Sequence, residues 1–195
     1  MSLRLECDNQ GGVIIADRSF FQNPDPEGIG ISYAFDIALD REGGTELICD
    51  FNEEWNQVWH RETLLLVNEI NKGIFLFVTL PIGDFNLEIL DNKIIKDDMC
   101  FFFESKIEVK TKEILLFEAG SWLEDIDIGD VKPSHKVELE NGWYNIQIQI
   151  DNRIGNESED SYLVGNMVIS ISSTEEKIDP LLELPCYQNW LSINN

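Results

Sequence analysis

Apolar and polar residues alternate through much of this chain, with the two-residue period of strands. GVIIA at 12–16 opens the series, followed by the polar, proline-bearing stretch DRSFFQNPDPEG. GISYAFDIALD (30–40) and TELICDF (45–51) then read as strands joined through REGG, a good hairpin connection. NEEWNQVWHR (52–61) is ambiguous, because Trp55, Val58 and Trp59 have helical spacing and a short helix fits there. TLLLV (63–67) and IFLFVTL (74–80) flank NEINKG, a second hairpin candidate. FNLEIL, CFFFESKIEVK, EILLFEAG, HKVELE, WYNIQIQI and YLVGNMVISI complete the run, with turn residues every 8 to 15 positions. That rhythm belongs to sandwiches and barrels.

One of these strands has an unusual outer side. In ELENGWYNIQIQIDN (138–152), Tyr144, Ile146, Ile148 and Ile150 point one way, and Trp143, Asn145, Gln147, Gln149 and Asp151 the other. The first set reads as core. The amide-lined set reads as a solvated face, with a hydrogen-bonding recognition face, or pairing with another chain, as the alternative.

The chain also echoes itself. VTLPIGDFNLEI (78–89) aligns with VELENGWYNIQI (137–148) at an offset of 59, sharing V-x-L-x-x-G-x-[FY]-N-[LI]-x-I. Downstream, DDMCFFFESKIEV (97–109) aligns loosely with EDSYLVGNMVISI (159–171). Gly83 and Gly142 suit a tight turn with positive φ, after which an aromatic residue starts the next strand on its buried face. The expectation is two related β units, about 63–120 and 121–175, packed as one body with the N-terminal strands completing the sheets. The tail PLLELPCYQNWLSINN, within a segment 176–195, is expected to dock as an irregular or short helical piece through Leu181, Leu182, Leu184, Trp190 and Leu191. The fold class expected is therefore all-β: a single antiparallel β-sandwich with few or no helices.

Charge changes the picture of what such a body would meet. The 195 residues carry 37 acids and 14 bases, a net charge of −23. The excess is even along the chain, with 18 acids and 7 bases in residues 1–97 and 19 and 7 in 98–195. No two basic residues are adjacent, so phosphate backbones and anionic membrane surfaces are disfavoured as ligands. Cationic proteins and metal cations are what the field attracts, and solubility alone is the plain alternative. The longest apolar run, GIFLFVTL (73–80), is far below the roughly 18 residues of a membrane helix. The start, MSLRLECDNQ, has no secretory pattern. Cys7, Cys49, Cys100 and Cys186 form no CxxC and read as buried reduced thiols of a cytoplasmic protein.

Chemistry is sparse. His60 and His135 are the only histidines, and neither sits in a metal-binding or hydrolase spacing. GxSxG, GxGxxG before a helix and GxxxxGK[ST] are absent, so an enzyme is the lesser reading, and no catalytic residue, metal ligand or cofactor is expected. The loop EDIDIGD (124–130) places Glu124, Asp125, Asp127 and Asp130 around Gly129, and NESED brings Glu157, Glu159 and Asp160 together. Oxygen ligands beside a glycine suit calcium, although the spacing is not that of an EF-hand. Trp122 and Trp143 flank turns and are the exposed aromatic candidates for a protein or sugar contact.

LPIGDFNLEIL, and more fully LENGWYNIQIQI followed by DSYLVGNMVISI, resembles the small β proteins related to competence-associated nuclease inhibitors. These share an L-x-x-G-x-Y strand start ahead of an acidic loop and an Asp-x-Tyr-led final strand. The likeness covers residues 137–171 and is echoed at 78–109. It implies an all-β acidic protein that blocks a basic nuclease or toxin. The expected function is thus binding and occlusion of a basic partner, with a sugar- or calcium-binding β module as the alternative. Oligomeric state is open.

Overall fold

The computed structural model describes residues 3–7, 12–23, 27–43, 53–80, 83–91, 94, 96–119, 133–151, 153, 163–175 and 179–185, with the backbone alone at 39–43, 53–56 and 59. In chain order the elements are β1 (Leu3–Cys7), β2 (Gly12–Asp17), α1 (Arg18–Gln22), α2 (Ile31–Gly43), α3 (Glu53–Asn71), β3 (Phe75–Thr79), β4 (Gly83–Leu90), β5 (Phe101–Val109), β6 (Glu113–Glu118), β7 (His135–Glu138), β8 (Gly142–Asp151) and β9 (Leu163–Ser173). The fold is mainly β, in two sheets, with three helices among the described residues.

The larger sheet has the order β1-β4-β9-β8-β5. Its alternation is what the residue pattern dictates. Phe101, Phe103, Ile107 and Val109 of β5, Tyr144, Ile146, Ile148 and Ile150 of β8, and Met167, Ile169 and Ile171 of β9 are buried on one face. Phe85 and Leu87 of β4 and Leu5 and Cys7 of β1 extend that face. The sheet is mixed: β4 and β9 run parallel, and every other neighbouring pair is antiparallel. A purely antiparallel sheet was the expectation. The difference arises because β9 enters between β4 and β8, strands that themselves run in opposite directions.

The smaller sheet has the order β3-β2-β6-β7. Every residue of β2 and β3 is buried, the signature of strands covered on both faces. Ile14 sits opposite Phe77 and Phe117, and Ala16 opposite Phe75 and Leu115, so these form one face. The helices cover that face. Phe35 of α2 lies 5.1 Å from Phe75 and 4.9 Å from Phe77, and Phe21 of α1 lies 4.3 Å from Phe117. The other face, with Val13, Ile15, Leu76, Val78, Ile114 and Leu116, joins the buried face of the larger sheet in one hydrophobic cluster. Full burial of each such side chain contributes about 1.5–3 kcal/mol.

The helices correct the expectation of an all-β chain. Residues 30–40, read as a strand, lie largely in α2, where Ile31, Ala34, Phe35 and Ala38 form a buried helical stripe. TLLLV, also read as a strand, is the middle of α3, where Leu66, Val67 and Ile70 are buried and Leu64 is exposed. NEINKG is not a hairpin but the end of that helix. The Gly73 amide donates to the Ile70 carbonyl (2.8 Å), and the Ile74 amide to the Glu69 carbonyl (3.3 Å), with Gly73 at φ +79°. This is the double-bonded helix end that needs a left-handed residue. REGG likewise begins in α2, and TELICDF lies outside the described residues.

Both segments matched at the offset of 59 pass from the smaller sheet to the larger. β3 leads to β4 through Gly83 (φ +140°), and β7 leads to β8 through Gly142 (φ +155°). Residues 179–185 lie along the body without helix. Asn71 clamps Leu181 twice: its amide donates to the Leu181 carbonyl (2.9 Å), and its Oδ1 accepts from the Leu181 amide (2.8 Å). Leu184 is buried, whereas Leu182, expected to pin the tail, is 88% exposed.

Candidate functional site

The amide-lined side of β8 is not a solvated face. Asn145 and Gln147 are 6% and 7% exposed. Gln147 Oε1 accepts from the Ile94 amide (2.9 Å), and Gln149 Oε1 from the Asp97 amide (3.0 Å). Gln147 Nε2 donates to Glu104 of β5 (2.8 Å). The connection from β4 to β5 thus crosses this face and takes its backbone partners from the glutamines. Arg153 ties it down further by donating to Asp97 (2.9 Å) and Asp151 (2.6 Å). The Met99 amide and then Arg153 hold Asp97 below the usual carboxylate range, and Arg153 does the same for Asp151. Pairing of this strand with another chain is also excluded, because β8 already has β5 and β9 on its two sides.

A second polar centre joins α1 to the turn between β5 and β6. Asp17, 3% exposed, caps α1 through the Ser19 amide (2.9 Å) and hydroxyl (2.5 Å). Its other oxygen accepts from the Lys110 amide (2.8 Å), the Thr111 amide (2.8 Å) and the Thr111 hydroxyl (2.9 Å). Burial opposes its ionisation, but these donors outweigh burial and lower its pKa.

Beside Asp17 opens a cavity of about 450 Å³, in the range of ligand sites. Phe20 of α1, Ile31 of α2, and Ile29 and Ile74 in the adjoining turns form its apolar walls. Ile29 is 40% and Ile74 36% exposed. Glu27, Glu69 and Glu108 supply carboxylates, and Lys72 and Lys110 are paired to Glu69 (2.5 Å) and Glu108 (2.8 Å). Asp17 also lines the space, with both oxygens already engaged. Gly73 closes one side, and the indole of Trp143 packs directly on it. The Glu108 amide donates to the Gly73 carbonyl (3.0 Å), which fastens the end of α3 to the edge strand β5.

Of the residues named from sequence, Trp143 is described. It is 38% exposed at the start of β8, with the Lys106 ammonium 4.8 Å from its ring centre. A sugar stacking on this ring would have to displace Lys106 or Gly73. Trp122, Glu124, Asp125, Asp127, Asp130, Glu157, Glu159 and Asp160 lie outside the described residues. His60 is exposed on α3. His135 is on the edge strand β7, with burial lowering its pKa and its buried Nδ1 meeting no hydrogen-bond partner among the described residues. Cys7 and Cys100 are buried, and burial, then Asp151 and Asp97, push the Cys100 thiol up to about 11. Among the described residues, no three His, Cys, Asp or Glu side chains cluster as a metal site, and no described helix is long and apolar enough to cross a membrane.

Sequence reasoning missed the cavity. Its walls come from residues 17–23, 27–31, 69–74 and 108–110, which only the tertiary fold brings together. The local signals were Asp17 ahead of a short helix and Gly73 after a long one.

The described basic side chains share one property: each is engaged. Arg4 pairs with Asp84, Arg18 with Glu113, Arg61 with Glu62, Lys112 with Glu140, Lys136 with Glu113 and Glu138, and Arg153 with Asp97 and Asp151. Lys72 and Lys110 pair as above, and Lys96 and Lys106 sit over Phe102 and Trp143.

No family model matches the chain, and a search of curated proteins finds no match. Two solved structures are similar. One is Crocagin biosynthetic gene J, at 8% identity and a TM-score of 0.42, covering 90% of this chain and 96% of that one. The other is ComJ from Bacillus subtilis, inhibitor of the DNA-degrading activity of NucA, at 10% identity and a TM-score of 0.42, covering 89% and 96%. Likeness at this level carries no conclusion about what this chain binds.

Proposed function

We propose that this chain is an acidic binding protein that covers a basic protein partner, in the manner of an inhibitor or immunity protein against a cationic nuclease or toxin. One observation carries the reading. The described bases are spent within the molecule, so a net charge of −23 stands uncompensated toward solvent. Such a field speeds encounter with a positive surface and repels nucleic acid and anionic lipid. Trp143, partly exposed and backed by Gly73, supplies a contact that outlasts the encounter. In sequence, Glu124, Asp125, Asp127 and Asp130, and Glu157, Glu159 and Asp160, add to the same negative charge. Occlusion, steric and electrostatic, is the mechanism, with no catalytic step. A cytoplasmic setting suits the buried cysteines Cys7 and Cys100. In this reading the units 63–120 and 121–175 are related copies, and the two sheets face each other as a sandwich with helices against its smaller sheet. An inhibitor or immunity role is compatible with the distant likeness to ComJ and does not rest on it.

The test begins with affinity capture from native extract at low salt and release by a salt step. Stopped-flow association of the captured partner should slow by about tenfold or more from 0.05 to 0.5 M salt. Trp143→Ala should leave the on-rate alone and speed dissociation by about tenfold. An acidic partner, or an on-rate indifferent to ionic strength, overturns the reading.

A further inference from the structure

We propose that the cavity bounded by α1, the start of α2 and the end of α3 receives an arginine side chain of that partner. This rests on the proposed function and names its central contact. The space measures about 450 Å³ and offers two unlike surfaces. Phe20, Ile29 and Ile74 provide apolar wall, and the two isoleucines leave part of it in water. Glu27, Glu69 and Glu108 provide negative charge. An arginine matches both: its methylene stem lies on apolar surface while its planar, weakly hydrated guanidinium pairs with carboxylates. An anionic ligand would meet these carboxylates, and a neutral one would leave them without a new partner.

The cavity wall itself holds stand-ins for such a cation. Lys72 reaches Glu69 (2.5 Å) and Lys110 reaches Glu108 (2.8 Å), yet the two lysine side chains are 61% and 57% exposed. The lysine ends of both pairs lie in water while the Glu69 carboxylate is only 9% exposed, so an entering guanidinium takes the place of an ammonium and keeps the carboxylate paired. The lysines are therefore internal competitors, and removing one should strengthen binding rather than weaken it.

The test uses the full chain, ¹⁵N-labelled, with the blocked tripeptide Leu-Arg-Leu and its citrulline counterpart as probes. The arginine peptide should move the amide signals of Gly73, Ile74 and Glu108 saturably, and the citrulline peptide should bind about tenfold more weakly. Glu27→Gln, at an exposed position, should weaken the arginine peptide several-fold, and Lys72→Met should tighten it. Equal response to citrulline, or weaker binding in Lys72→Met with the fold intact by NMR, overturns the proposal. If the arginine peptide leaves these signals unmoved while the captured partner still associates with steep salt dependence, the cavity is wrong and the acidic-field reading stands. If the partner's on-rate ignores salt, the broader reading fails with it.

Discussion

At the scale of single residues, Asp17 shows how one buried carboxylate stands in for a larger packing contact. It caps α1 and, 93 and 94 positions along the chain, receives the Lys110 and Thr111 amides. Asp17→Asn keeps the shape but puts an NH2 donor where donors already converge. We expect a loss of about 2 kcal/mol at neutral pH, measured by urea unfolding. The sign of the pH dependence follows from the lowered pKa. Stability from this group is present above the unfolded value of about 3.8 and is lost as pH falls through the lower folded value. The gap between the native protein and Asp17→Asn should therefore narrow below that pH; a constant gap contradicts the charge-based account. The capping half of this role had a local signal, Asp ahead of a short apolar pair, which the reading of DRSFFQNPDPEG as a polar, proline-bearing stretch passed over. The other half had none, because no local pattern links position 17 to position 111.

At the scale of elements, strands were legible wherever one face is buried and the other polar, as in FFFESKIEV and WYNIQIQI. Helix α2 was misread because its residues satisfy both periods. Ile31, Tyr33, Phe35 and Ile37 alternate, while Ile31, Ala34, Phe35 and Ala38 recur at helical spacing. Tyr33, 52% exposed, shows which pattern the fold uses. The same limit applied to β8. Alternation correctly assigned its amides to the outer side, but said nothing of the connection that lies across them. That connection supplies a test. Gln147→Leu removes the acceptor for the Ile94 amide, at a cost of about 1–3 kcal/mol. Hydrogen exchange at Ile94 and Asp97 should quicken, while exchange in β9 stays slow; unchanged protection at Ile94 would show that the glutamine does not hold the connection.

At the scale of the whole molecule, the charge surplus acts on the fold as well as on partners. With 37 acids and 14 bases, like-charge repulsion opposes compaction. Raising salt from about 0.02 to 0.5 M screens it and should raise the melting temperature by several degrees. A fall would mean that internal ion pairs, Arg153 with Asp97 and Asp151 foremost, outweigh repulsion. Charge was the one global property readable from composition; the cavity was not, because it is a product of three distant segments meeting.

The place of β9 has a consequence for how the molecule comes into being. The two strands it separates, β4 and β8, are synthesised before it, and neither touches the other. A nascent chain that has not yet produced Leu163–Ser173 therefore carries a gap in the middle of its larger sheet, with two raw hydrogen-bonding borders facing an empty slot. Assembly of that sheet waits for the last strand as an arch waits for its keystone, and the hazard of mispairing lasts until it arrives.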